Sequence, residues 1–239
     1  MEVDLFIPCY IDMLFPDTGF NVVKVLEKAG CKVHYNPNQT CCGQPAFNAG
    51  YKNEAFRVAK KFLADYKGNR YIVCPSSSCI KMVTDHYEDF FINSSQRTLF
   101  KKIQSKAIEF SSFLTDVLKI DDLGASFPAK VTYHDSCSAL RGMGIKTGPR
   151  KLLEKVKGLE LIEMNESETC CGFGGTFSIK MEPISSAMAD QKVGNALATG
   201  AEYIVGTDIS CLMHLDGYLK KQKKDLKVMH LADVLAQGY

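Results

Sequence analysis

A cysteine pattern written twice constrains this chain more than any other feature. Cys9 is followed by 31 residues, the vicinal pair Cys41-Cys42, 36 residues and Cys79. Cys137 is followed by 32 residues, the pair Cys170-Cys171, 39 residues and Cys211. A glycine, Gly43 or Gly172, comes directly after each pair. Comparing the chain with itself at an offset of about 120 to 132 residues extends the match. Tyr71-Ile-Val-Cys74 aligns with Tyr203-Ile-Val-Gly206, and Phe6-Ile-Pro-Cys9 with His134-Asp-Ser-Cys137. Lys106–Phe110 aligns with Lys227–Leu231.

The hydrophobic pattern repeats as well. Val3–Pro8 and Lys130–His134 read as short buried strands leading to a cysteine. Helical periodicity follows at Gly19–Ala29 and Pro149–Lys157, then second strands at Cys31–Tyr35 and Leu159–Glu163. Longer helices are predicted at Asn53–Tyr66 and Met181–Ala198, and third strands at Tyr71–Val73 and Tyr203–Val205. Each third strand leads into a helix carrying Cys79 or Cys211. Fourth strands at Lys106–Phe110 and Lys227–His230 precede short helices at Ser111–Leu118 and Ala232–Gln237. Such alternation predicts an α/β protein of two pseudo-repeated domains, each a parallel sheet flanked by helices. The Gly/Pro-containing stretch Asp121–Pro128 reads as the linker, dividing the chain into 1–125 and 126–239. Phe91–Lys102 has no counterpart in the second half and reads as an insertion. Sites in parallel sheets form past the carboxyl ends of strands. The repeated cysteines sit in such loops or just after them.

Composition narrows the chemistry. The net charge is +2 with no basic run, so a nucleic-acid partner is not expected. The start of the chain lacks the pattern of a signal peptide, and no long uninterrupted apolar run is present to span a membrane. A cytoplasmic location is the expectation. Ten cysteines in a reducing compartment then point to metal, redox chemistry or core packing, not to disulfides. The vicinal pair favours a polynuclear group. Its Cα atoms are about 3.8 Å apart, so its thiolates can reach neighbouring metal ions of one cluster. Zinc sites usually place two to four residues between paired cysteines. Four thiolates per half match the demand of an iron–sulfur cluster. Cys9, Cys41, Cys42 and Cys79 form one set, and Cys137, Cys170, Cys171 and Cys211 the other. Zinc in one site remains open, as does packing of the cysteines in a core.

Other residues carry two readings each. Cys31 opens a strand and reads as core. Cys74, five residues before Cys79, is either a further ligand or a buried thiol, and its repeat partner is Gly206. His134 either tunes a cluster from beside Cys137 or caps its strand. Arg141 offsets cluster charge or is ordinary surface, and Lys81 beside Cys79 has the same two readings. His214, three residues after Cys211, reads as a zinc ligand or as an ordinary helix residue. Gly172-Phe-Gly-Gly175 lacks the full dinucleotide fingerprint. No P-loop or catalytic triad is visible, so the pattern points to electron-carrier chemistry without an organic substrate site.

The twin Cys/Cys-Cys-Gly/Cys arrangement resembles the CCG cysteine-rich domain. That domain occurs in heterodisulfide reductases, in the iron–sulfur subunit of glycolate oxidase and in lactate-utilization proteins. Gln39–Asn48 and Asp208–His214 are most similar to the lactate-utilization members. The resemblance covers essentially the whole chain. It implies one or two iron–sulfur clusters, [4Fe–4S] in either cubane or non-cubane form. It also implies an electron-transfer subunit working with other subunits of a complex that oxidises L-lactate to pyruvate. Heterodisulfide reductases carry a further cysteine in a final Cys-x-x-Cys, where this chain has Ser76 and Asp208. The cluster's shape is therefore not carried over. A thiol/disulfide reductase and a zinc scaffold stand as rival readings.

Overall fold

The structure is a computed structural model that describes residues 1–93 and 95–238. The first half runs β1 (Glu2–Leu5), α1 (Cys9–Leu14), α2 (Pro16–Lys28), β2 (Lys32–Tyr35), α3 (Gln44–Asn48), α4 (Lys52–Asp65), β3 (Tyr71–Cys74), α5 (Ser77–Lys81), α6 (Tyr87–Phe91), α7 (Arg97–Gln104), β4 (Ala107–Glu109) and α8 (Phe110–Ser112). The second runs β5 (Lys130–Tyr133), α9 (Thr147–Glu154), β6 (Glu160–Leu161), α10 (Thr176–Lys180), α11 (Glu182–Leu197), β7 (Tyr203–Gly206), α12 (Ile209–Lys221), β8 (Lys227–His230) and α13 (Leu231–Leu235). Wider π-type turns span Met82–His86, Phe113–Val117 and Ser138–Gly142.

The strands form two parallel four-stranded sheets of identical order, β2-β1-β3-β4 and β6-β5-β7-β8. The central strands bury their apolar residues under helices on both faces. Val3, Leu5, Ile72 and Val73 are buried in one sheet, and Val131, Ile204 and Val205 in the other. Each sheet reverses direction of growth between its two middle strands. Such a switch point opens a crevice at the carboxyl ends, where ligands bind in parallel sheets. Cys9 follows β1 and Cys79 follows β3, so the first set straddles that crevice. Cys137 and Cys211 do the same after β5 and β7.

The halves are tied by exchange of their last helices. α13 packs on α2, where Thr18 and Asn21 both donate to the Asp233 carboxylate at 2.9 Å and Lys24 donates to the Ala236 carbonyl at 2.8 Å. In return α8 packs on α9. A single apolar cluster, including Val22 and Leu26 with Leu152, Leu215 and Val234, runs through both halves. A second cluster, rich in Phe and Tyr, lies behind the first cysteine set. It includes Phe91 and Phe100 from α6 and α7, so both ends of the predicted insertion lie in helices that pack on the core.

Candidate metal centre

All eight repeated cysteines line one cavity of about 210 Å³ at the facing ends of the two sheets. A water needs only about 10–15 Å³ of such space, so the cavity suits a polynuclear group better than a lone ion. Cys42, Cys79, Cys171 and Cys211 are buried, while Cys9, Cys41, Cys137 and Cys170 are partly exposed. All ten cysteines are free thiols.

In the first half Cys9 donates to Cys41 across 3.7 Å, and Cys42 to Cys79 across 3.4 Å. The Gly43 N–H donates to Cys41 Sγ at 3.3 Å, and the Gly172 N–H to Cys170 Sγ at 3.4 Å. Both glycines have left-handed φ, +84° and +92°, which aims those N–H groups back at the sulfurs. Tyr87 braces the first loop by donating to the Cys42 carbonyl at 2.8 Å. Ser185 braces the second by donating to the Gly172 carbonyl at 2.8 Å, and its hydroxyl lies 3.2 Å from His214 Nε2.

Such packing splits the thiols into proton holders and thiolates. Hydrogen bonds from Cys42 and Cys9 pull Cys41 down to about 3. Those from Cys42 and Cys74 pull Cys79 down to about 5. Hydrogen bonding with Cys41, and for Cys42 also with Cys79, then burial, pushes Cys9 and Cys42 up, and the same bond from Cys170 pushes Cys137 up. In Cys211 the bond with Cys171 lowers the pKa, but burial and the Asp208 charge outweigh it. Thiolates are the metal ligands, and four can share one site only when a cation offsets their repulsion. The donor set therefore fits a thiolate-bound metal group.

The candidates beyond these eight separate clearly. Cys74 is fully buried beside Cys79, its Sγ 3.6 Å from the Ser76 carbonyl. Burial pushes its pKa up. Cys31 lies in the apolar core. His134 is buried with Cys171 and Cys211, one ligand atom from each lying within 4.8 Å of the others. Arg141 is exposed and donates to the Glu168 carbonyl at 3.0 Å, bracing the loop before Cys170. Lys81 lays its side chain over Gly142. His214 sits against the Phe173 ring and acts on the second loop through Ser185.

The Asp135–Arg150 pair and Lys192 had no sequence signal, and Asp208 was marked only as standing where relatives carry a further cysteine. Buried Asp135 takes a two-pronged ion pair from Arg150, both contacts 2.8 Å, and Arg150 also binds Glu163. That clamp fixes the chain between His134 and Cys137. Asp208 reaches into the first half, accepting from the Ser78 N–H at 2.9 Å and the Ser77 hydroxyl at 3.2 Å at the start of α5. Lys192 is buried and donates to the Glu166 and Ser167 carbonyls at 2.7 and 3.0 Å.

Two parallel sheets that converge eight thiols on one cavity define a twin cysteine-rich α/β protein. The CCG cysteine-rich domain profile matches residues 3–84 and 131–216, and the chain belongs to that family. Lactate utilization protein A of Halalkalibacterium halodurans is 45% identical over 235 residues, covering 98% of this chain and 96% of that protein. The protein of the same name from Geobacillus kaustophilus is 43% identical, covering 98% of each. Among solved structures, a hypothetical protein from Helicobacter pylori superposes with a TM-score of 0.70 at 14% identity. It covers 100% of this chain, which spans 49% of that longer one, and shows the fold alone.

Proposed function

We propose that this chain is an iron–sulfur electron-transfer subunit in L-lactate oxidation. The convergence of both cysteine sets on one cavity carries the reading. Cys9, Cys41, Cys42 and Cys79 would hold one group, with Cys74 beside it, and Cys137, Cys170, Cys171 and Cys211 the other. Residues 1–125 and 126–239 would thus each be one metal-binding half. An iron–sulfur group, when bound, supplies one-electron transfer. The chain's own part is to hold thiolates, donate the Gly43 and Gly172 N–H groups to them, and keep water from the buried sulfurs. The partly exposed Cys9, Cys41, Cys137 and Cys170 mark the side from which an electron partner approaches.

Lactate enters through the relatives' name. The described residues lining the cavity include Asp208 but no Lys or Arg to pair with a lactate carboxylate. That lining supports a carrier fed by another subunit's active site. Among the described residues no helix is long and apolar enough to cross a membrane. One observation favours zinc instead: the 3.7 Å between Cys9 and Cys41 is close to the roughly 3.8 Å edge of a tetrahedral thiolate site. The cavity's volume and the vicinal pairs weigh against a single ion.

The test is growth on L-lactate of a strain whose own copy is deleted. The wild-type chain should restore growth, and Cys42→Ser or Cys171→Ser should not. Full growth with both variants would overturn the reading.

A further inference from the structure

The two halves differ most where they should be equivalent. Phe6 and His134 both lie three residues before the first cysteine of their set. The sheet fixes the equivalence: Phe6 N–H donates to the Val73 carbonyl and His134 N–H to the Val205 carbonyl. In the first half the Phe6 ring packs edge-on against Phe62 at 5.0 Å and Tyr66 at 5.9 Å. The residues facing the two glycines set the helix register. Gly43 faces Ala55 and Val58, and Gly172 faces Ser185 and Met188. Lys192 therefore occupies the place of Phe62. An aromatic pair in one half has become an imidazole and an ammonium in the other.

Lys192 is satisfied by two carbonyls, but His134 is not. His134 is 1% exposed, and neither ring nitrogen has a hydrogen-bond partner. A buried polar group without a partner is costly, and one kept at a site calls for a ligand. The imidazole is a common metal ligand. One of its ring nitrogens lies within 4.8 Å of both Cys171 and Cys211 Sγ, the one such group among the described residues. On a tetrahedral ion, with nitrogen at about 2.0 Å and sulfur at about 2.3 Å, two such donors stand roughly 3.5 Å apart. A shift of about 1 Å, within reach of side-chain rotation, closes the gap. In the first half Phe6 offers no donor, and the register that pairs Leu5 with Val73 brings the buried thiol Cys74 beside it in the sheet; in the second, the register that pairs Tyr133 with Val205 puts Gly206, which has no sulfur, beside His134.

We propose that His134 is a metal ligand of the second half, its ring nitrogen joining Cys137, Cys170, Cys171 and Cys211. The two centres are then chemically distinct, thiolate-only in the first half and mixed sulfur–nitrogen in the second. The inference rests on metal binding as proposed above.

The test is pulsed paramagnetic resonance of the full chain, loaded with iron and sulfide without oxygen and labelled with [15N]histidine. The wild-type spectrum should show the strong nitrogen coupling of a bound imidazole. His134→Phe, which installs the first half's residue, should abolish it. Cys42→Ser, which removes a first-half ligand, should leave it in place. Absence of the coupling in the wild type, only the weak coupling of a hydrogen-bonded N–H, or its persistence in His134→Phe would overturn the assignment. If His134→Phe fails to fold, labelled and unlabelled wild type decide alone. If the chain takes up zinc without sulfide, the iron–sulfur reading fails on its own. Zinc-edge absorption then decides the ligand: nitrogen beside sulfur supports His134, and sulfur alone refutes it. A chain that binds no metal refutes both.

Discussion

At the scale of single residues, the vicinal cysteines depend on the glycine that follows them. Gly172 combines a φ of +92° with close quarters, since an added Cβ would meet the Ser185 carbonyl oxygen at 2.6 Å. Gly43 has a φ of +84°, but its nearest neighbour would be the Val58 side chain at 3.3 Å. A side chain in this left-handed region is strained by about 1–3 kcal/mol. Gly172→Ala should therefore lower unfolding stability by at least that much, because a backbone carbonyl must also move. Gly43→Ala should cost less, since a valine can shift. Urea unfolding of the metal-free chain measures both, and equal midpoints for Gly172→Ala and wild type would contradict the account. The glycines were legible in the sequence because they repeat. Lys192 was not, because a lysine in a polar helix normally lies in solvent and its burial depends on the loop carbonyls it meets. Asp135 was equally hidden, since its partner Arg150 lies on a separate helix.

At the scale of elements, the alternation of strand and helix was readable, and its ends were not. The predicted strand from Val3 to Pro8 stops at Leu5: Phe6 still donates to the Val73 carbonyl, but the Ile7 N–H goes to the Gln39 side chain at 3.1 Å, and Pro8 has no N–H and precedes α1. The predicted strand from Leu159 to Glu163 shrinks to Glu160–Leu161, an edge strand with one neighbour. Helices α1, α3 and α10, of five or six residues each, are too short to show a helical period and had no sequence signal. The last helices begin alike by different chemistry. Glu109 caps α8 by accepting from the Ser111 and Ser112 N–H groups, and His230 caps α13 by accepting from the Ala232 N–H at 3.1 Å. The other His230 nitrogen lies 3.1 Å from the Pro75 carbonyl of the first half. Burial holds the His230 pKa below its ordinary value. The unfolded chain takes a proton near pH 6.5, and the folded chain resists it. Stability from this group is thus full above about pH 6.5 and falls with acidification, by up to about 1.4 kcal/mol per pH unit. His230→Asn should flatten that acid limb in urea midpoints measured from pH 7.5 down to 5. An unchanged slope would contradict the assignment.

At the scale of the whole molecule, two similar halves build one cavity. The exchange of α8 and α13 and the shared apolar cluster hold the sheet ends face to face. Asp208 crosses between them to the start of α5. The symmetric cysteine sets were legible in the sequence, while their meeting in a single cavity came only with the fold. The central claim is that both sets hold iron and sulfide, and anaerobic counting of iron and acid-labile sulfide per chain tests it most directly. Two four-iron centres predict on the order of eight of each. Cys42→Ser and Cys171→Ser should each remove about half, as expected when each four-cysteine site depends on its own thiolates. Zinc without sulfide, or an iron content that neither substitution changes, would contradict the account.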